Sequence, residues 1–214
     1  MLNENQILEN KTKFISLLRQ IKREGARIDA LINKLENSDF FEAPASTQYH
    51  CSYRGGLCEH SLHVYEQLST LIAIEYPDKF VETEDQLDIP YISPISDESI
   101  IITALLHDMS KMNFYETSER NVKDENGNWV KVPYIKVKDA KDRFIFGSHE
   151  MNSLYMVESF IPLSLEESTA ILHHMGGMAK DSAQDDISDI YNKFPLALML
   201  HLADMLATYK DERI

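Results

Sequence analysis

Five places along the chain put metal-competent side chains on, or at the end of, predicted helices. They are His60, the adjacent pair His107-Asp108, His149, the pair His173-His174, and Asp204. Imidazole nitrogens and carboxylate oxygens together suit borderline divalent ions such as Mn, Fe, Co, Ni or Zn. The adjacent His-Asp pair is the distinctive element. Its histidine can bind one ion terminally while the carboxylate bridges two ions through its separate oxygens. Two such ions can share a water, lower its pKa and hold the resulting hydroxide in line with a phosphorus atom. Any single histidine here is more often a hydrogen-bonded structural residue than a ligand, so the order and context of the set carry the reading.

Other residues could serve that chemistry. Lys111 lies one helical turn beyond His107, where it would either stabilise charge on a phosphate or form a salt bridge with a nearby carboxylate. His50, Arg54 and Arg143 are candidates for phosphate contact, Arg143 being more readily an ordinary loop residue. His63, three residues after His60, and His201, three before Asp204, either neighbour the site or sit at the edge of the core. Cys51 and Cys58 have no second cysteine pair with which to build a zinc site, and they read as structural or incidental.

The elements that must position these groups are mostly helical. Phe14, Leu17, Leu18, Ile21, Ile28, Leu31, Ile32 and Leu35 recur at three- and four-residue spacing, which predicts one long helix bent near Gly25. A loop follows over 42–57, ending in Gly55-Gly56, and a second helix runs from about Leu57 to the stop at Pro77. The acidic stretch 78–97 reads as a connecting loop. Ser96 or Asp97 then caps a helix whose IIITALL run at 100–106 is apolar on every side, which places it in the core. His107-Asp108 ends that helix, where an unpaired carboxylate would cost several kcal/mol; a metal ion or Lys111 could offset it.

Between 119 and 138 the Asn126-Gly127 turn and the string WVKVPYIKV predict a short β-hairpin or flap. Trp129 and Tyr134 on it would form a small satellite core or stack on a base. Helical pattern resumes from Ser148 to Phe160. The S-x-x-E box of Ser164 and Glu167 starts another helix, ending at Gly176-Gly177. Residues 181–189 read as an acidic loop. Pro195 opens a last helix on which Leu196, Leu200, Ala203 and Ala207 share a face.

The bulk properties fit one domain. The chain has 214 residues, 43% of them hydrophobic, enough to build a substantial core. A formal net charge of -14 keeps the surface away from nucleic-acid backbones at long range, which disfavours a DNA- or RNA-coating protein. The start MLNENQILENKTKF is not a signal peptide, and the longest apolar run is too short to span a bilayer. Free thiols and the absence of a leader predict a soluble cytoplasmic protein.

The order His60, His107-Asp108, His149, His173, Asp204 resembles that of the HD-domain superfamily of metal-dependent phosphohydrolases. HDMSK at 107–111 is similar to that family's HD-x-x-K signature. GGLCEHS at 55–61, ILHHMGG at 171–177 and PLALMLHLADMLAT at 195–208 look most like the HD-domain 3′–5′ exoribonucleases and the HD proteins of bacteria and phages. The resemblance covers about Tyr49 to Tyr209. It implies an all-α fold, an HD-type helical bundle with a hairpin flap around 119–138, forming a single domain over 1–214 with residues 1–40 as an added N-terminal helix. It also implies two divalent ions, with Mn, Fe, Co or Ni favoured over Zn or Mg. One ion would take His60, His107, Asp108 and Asp204; the other would take Asp108, His149 and His173. His174 is a ligand in place of His173, a hydrogen-bonding neighbour or a substrate contact. Asp108 and Lys111 would be the catalytic pair, with His50, Arg54 and Lys111 on the substrate. The expected activity is hydrolysis of a phosphoester in a nucleotide or short oligonucleotide. The small size fits a nucleotidase or small phosphodiesterase better than a processive nuclease. Proteins with this ligand order also resemble myo-inositol oxygenase, so a di-iron oxygenase is an alternative, as is a nucleotide sensor without turnover. No membrane partner and no extended nucleic-acid-binding surface are expected.

Overall fold

The computed structural model describes residues 1–78, 80–84, 90–178 and 187–212. The periodic N-terminal segment forms two helices, α1 (Glu4–Leu18) and α2 (Ile28–Glu36), where the spacing predicts one. Gly25 lies between them at φ +79, a left-handed conformation that cannot continue an α-helix. Asn3 and Gln6 form a reciprocal capping box that fixes the start of α1. Phe14 packs against Phe40 and Phe41 at ring-centroid distances of 5.1 and 5.6 Å. Leu18, Leu31 and Leu35 are buried in the same cluster as Leu57, Ile102 and Leu105. The N-terminal helices are therefore built into the core that carries the site.

Helix α3 (Gly56–Glu75) starts at the glycine pair for steric reasons. Gly55 is left-handed at φ +83, and a Cβ on Gly56 would lie 2.1 Å from the carbonyl oxygen of Cys51. Instead of the loop expected over 78–97, β1 (Phe80–Glu84) and β2 (Pro90–Pro94) form an antiparallel pair. Helix α4 (Asp97–Leu106) is capped by Ser96, whose side chain accepts from the backbone N–H of Ser99. Its all-round apolarity has a direct cause. Ile101, Ile102, Leu105 and Leu106 enter one buried cluster while Ile100 and Ala104 enter a second, so α4 is the partition between them.

A 3₁₀ turn (Met109–Lys111) leads into the expected hairpin, β3 (Tyr115–Lys123) and β4 (Trp129–Val137). Both strands of a two-stranded ribbon are edges, where Pro133 is tolerated. Trp129 is exposed rather than in a satellite core; the ammonium of Lys123 sits 5.3 Å over its ring, and Arg120 lies 5.4 Å over Tyr134. Helix α5 (His149–Glu158) is docked on the 3₁₀ turn by Ser110, which donates to the His149 carbonyl at 2.9 Å and receives the Ser153 hydroxyl at 3.0 Å. Helix α6 (Leu165–His173) begins with the expected Ser164–Glu167 box. The acidic loop expected over 181–189 falls mostly outside the described residues. Helix α7 (Ile187–Lys193) and helix α8 (Pro195–Leu206) follow, and a π-turn covers Ala207–Asp211. Leu196, Leu200, Ala203 and Ala207 are all fully buried, which seats α8 on α3 and α6. No helix among the described residues is long and apolar enough to cross a membrane.

Candidate metal centre

Five helices and a 3₁₀ turn deliver the polar groups to one buried point. His60 comes from α3, His107 caps α4, and Asp108 follows it at the start of the 3₁₀ turn. His149 opens α5, His174 caps α6, and Asp204 projects from α8. The two oxygens of Asp108 face different partners. Oδ2 lies 3.4 Å from His107 Nε2 and 3.8 Å from His60 Nε2. Oδ1 lies 3.6 Å from His149 Nε2 and 3.8 Å from His174 Nε2. Asp204 Oδ1 is 3.2 Å from His60 Nε2. These residues make three overlapping groups whose ligand atoms lie close enough to hold an ion: His60, His107 and Asp108; His107, His174 and Asp204; and Asp108, His149 and His174.

The histidines share a second feature: each is anchored at Nδ1 and aimed with Nε2. The Nδ1–H of His107 donates to the Ala104 carbonyl at 2.9 Å, and that of His174 to the Ile171 carbonyl at 2.7 Å. A carbonyl can only accept, so the neutral tautomer leaves the Nε2 lone pair pointing inward. His60 Nδ1 is held by Glu212 at 3.1 Å, and His149 Nδ1 lies 3.4 Å from Glu150. The Nε2 atoms of His107, His149 and His174, together with Asp108 Oδ1, are buried and have no hydrogen-bond partner among the described residues. Four converging unpartnered acceptors are costly without a cation. This donor set fits divalent metal ions.

The charges follow from the same geometry. Burial opposes ionisation of Asp108, but the ammonium of Lys111 at 2.7 Å outweighs it and holds the carboxyl well below its ordinary range. Asp204 is lowered in the same way, burial being overcome by His60. His60 is pushed up to about 10, because Asp204 and Glu212 together overcome its burial. Burial lowers His174 and His149, keeping both imidazoles neutral.

The expected residues divide into those the structure gathers and those it does not. His50 is brought in: its ring is 4.8 Å from that of His60, and its Nε2 is buried without a hydrogen-bond partner among the described residues. Burial, with the charge of His60, lowers it to about 4. Lys111 is present as the ion-pair partner of Asp108. Of the pair His173-His174, the structure brings His174 into the cluster. On α6, Ala170 and Ile171 are fully buried, and a residue three or four positions on shares their face, which is His174. His173 belongs to none of the ligand groups, and its backbone carbonyl accepts from the Tyr191 hydroxyl at 3.4 Å. Arg54 is not gathered into the cluster. It is half exposed and ion-paired with Glu4 and Glu42, which ties α1 to the 42–57 loop instead of serving the cluster. Arg143 lines a different cavity. His63 donates to Glu212 at 2.9 Å, and His201 to the His174 carbonyl at 2.7 Å.

Glu212 and Glu150 are functional neighbours that sequence reading missed. Glu212 joins the site from beyond the last periodic helix, and Glu150 follows a histidine without any spacing signal of its own.

A model of the HD domain matches residues 57–208, more than half of the chain. The chain belongs to the HD-domain family. HD proteins are typically metal-dependent phosphohydrolases, and the buried His/Asp groups here are competent to hold metal. Searches of the curated proteins and of the solved structures returned no match.

Proposed function

We propose that this HD protein hydrolyses a phosphoester of a nucleotide or short oligonucleotide at a centre of two divalent ions bridged by Asp108. The observation that carries this reading is the split of the Asp108 carboxylate, with one oxygen toward His60 and His107 and the other toward His149 and His174. His60, His107, Asp108 and Asp204 would hold one ion; Asp108, His149 and His174 would hold the other. When bound, such ions lower the pKa of water and polarise a phosphoryl oxygen.

The rest is done by the chain. The centre lies against a cavity of about 520 Å³ whose lining includes Lys111, His50, Tyr49, Met205, Thr208 and Tyr209. Lys111 places a fixed positive charge beside the reacting phosphoryl group, where negative charge grows as the new phosphorus–oxygen bond forms and the ester bond breaks. The departing alkoxide leaves as an alcohol once it takes a proton. Tyr49 and Tyr209 offer flat apolar faces for a base or sugar, and such aromatic surface is how sites accept any base without reading its edge. The chain's net charge of -14 fits a small substrate better than a long polyanion.

The test is a phosphoester screen with purified full chain in Mn, Co, Ni or Mg. It should include nucleoside mono- and triphosphates, cyclic nucleotides, short RNA and simple sugar phosphates. Metal-dependent release of phosphate or nucleotide from the nucleotide set is expected. Dioxygen uptake by an iron-loaded protein with no phosphoester turnover would overturn the reading.

A further inference from the structure

The Met109–Lys111 turn borders two cavities. Asp108 and Lys111 line the one at the metal centre, whereas Met109 and Met112 line a second, of about 620 Å³. The apolar part of the second lining comes from those two methionines, Met156 and Phe160, with Phe144 and Tyr155 stacked at 5.8 Å and an interplanar angle of 19°. Its charged part is Lys34, Lys141 and Arg143 against a single carboxylate, Asp142. That balance is the reverse of the chain's overall -14. Lys34 and Lys141 make no ion pair among the described residues. Arg143 is held with its guanidinium 5.0 Å over the Phe114 ring, and its Nε is buried with no hydrogen-bond partner among the described residues.

A buried guanidinium nitrogen without an acceptor is costly, and an anion is the group that satisfies it. The stacked ring pair and the polarisable methionines next to it suit a flat body. We propose that this cavity is a binding site, distinct from the metal centre, for a small aromatic anion. The anionic group meets Arg143 between Lys34 and Lys141, and the ring lies against Phe144, Tyr155 and the methionine side chains. The metal-centre cavity is built differently, with its cation already paired to Asp108.

The methionines make the test self-locating, because Met109, Met112 and Met156 line this cavity while Met175 and Met205 line the other. The full chain, labelled with ¹³C-methyl methionine and assigned by single Met→Leu variants, is titrated with phenylphosphonate, whose carbon–phosphorus bond survives a phosphoesterase. Saturable shifts of the Met109, Met112 and Met156 signals are expected. Arg143→Gln should weaken that binding by about tenfold or more, the scale of a lost charge-assisted hydrogen bond. Should Arg143→Gln not fold, the double variant Lys34→Gln, Lys141→Gln changes only exposed residues and should weaken it several-fold. No methyl shift, shifts confined to Met175 and Met205, or undiminished affinity in folded Arg143→Gln would each overturn the proposal.

Discussion

Glu212 is the sharpest test of how the centre is held. Its side chain is almost fully buried, and its Oε1 accepts from both His60 Nδ1 at 3.1 Å and His63 Nδ1 at 2.9 Å. A glutamine there keeps one carbonyl acceptor but replaces the other oxygen with an NH₂ donor and removes the charge. His60 then loses the carboxylate that orients it and raises the basicity of its Nε2. Loss of such an outer partner typically costs ~10–100-fold in metal affinity, which is about 1.4–2.7 kcal/mol. Glu212→Gln should fall at the lower end of that range, since an acceptor survives, and Glu212→Ala at the upper end. His63→Ala supplies the control, because it leaves Glu212 wholly to His60; metal affinity should stay within about threefold of wild type. The assay is calorimetric titration of chelator-treated protein with Co²⁺ or Mn²⁺ at pH 7.5, with circular dichroism confirming that each variant is folded. Equal affinity in wild type and Glu212→Gln would refute the orienting role. So would His63→Ala losing as much affinity as Glu212→Ala.

Three further outcomes follow from the structure. His174→Ala should lose at least one bound ion while His173→Ala keeps the wild-type content, measured by metal analysis after gel filtration; the reverse would restore His173 as the ligand. Burial raises Glu166 to about 7 from an ordinary 4.5, so it binds its proton more tightly folded than unfolded. Its contribution to stability is present below pH 4.5 and lost as the pH rises through 7, with a ceiling of about 3 kcal/mol. Glu166→Gln keeps an acceptor for the Leu196 N–H, and should therefore be more stable than wild type to urea at pH 8 by about 1–3 kcal/mol, a gap that narrows toward pH 5. Arg23 makes two hydrogen bonds, of 2.5 and 2.6 Å, to the buried carboxylate of Glu167, so Arg23→Ala should cost about 3 kcal/mol in chemical denaturation by leaving that charge unpaired; a loss under about 1 kcal/mol would show the pair to be solvated.

The fold was legible wherever one residue type has one local meaning. Ser96, the Ser164–Glu167 box and Pro195 mark helix starts because a side-chain oxygen, or a missing N–H, suits an unsatisfied helix N-terminus. The all-apolar α4 could only be a core partition. Gly25 was legible as a weak point but not as a break, since its surroundings come from far along the chain, where a Cβ added to it would lie 3.1 Å from Pro162. The site was legible as an ordered set of ligands, because metal chemistry restricts residue types more than it restricts position. The choice between His173 and His174 was not. It depends on where α6 ends, and the spacing placed that end at Gly176-Gly177, three residues late. Once the helix stops at His173, His174 becomes its cap and repeats the Nδ1-to-carbonyl anchor of His107. The place of Glu212 and the partners of Arg54 were not legible for a common reason: a lone charged residue outside a periodic helix has no period, and only the fold decides what it meets.

The most direct measurement is the metal content per chain of wild type and Asp108→Ala, by plasma mass spectrometry after loading with Mn²⁺ or Co²⁺. A carboxylate bridging two histidine sets predicts two ions per chain in wild type, with both ions and phosphoester hydrolysis lost from Asp108→Ala. A variant that stays active, or keeps its full metal content, would contradict it.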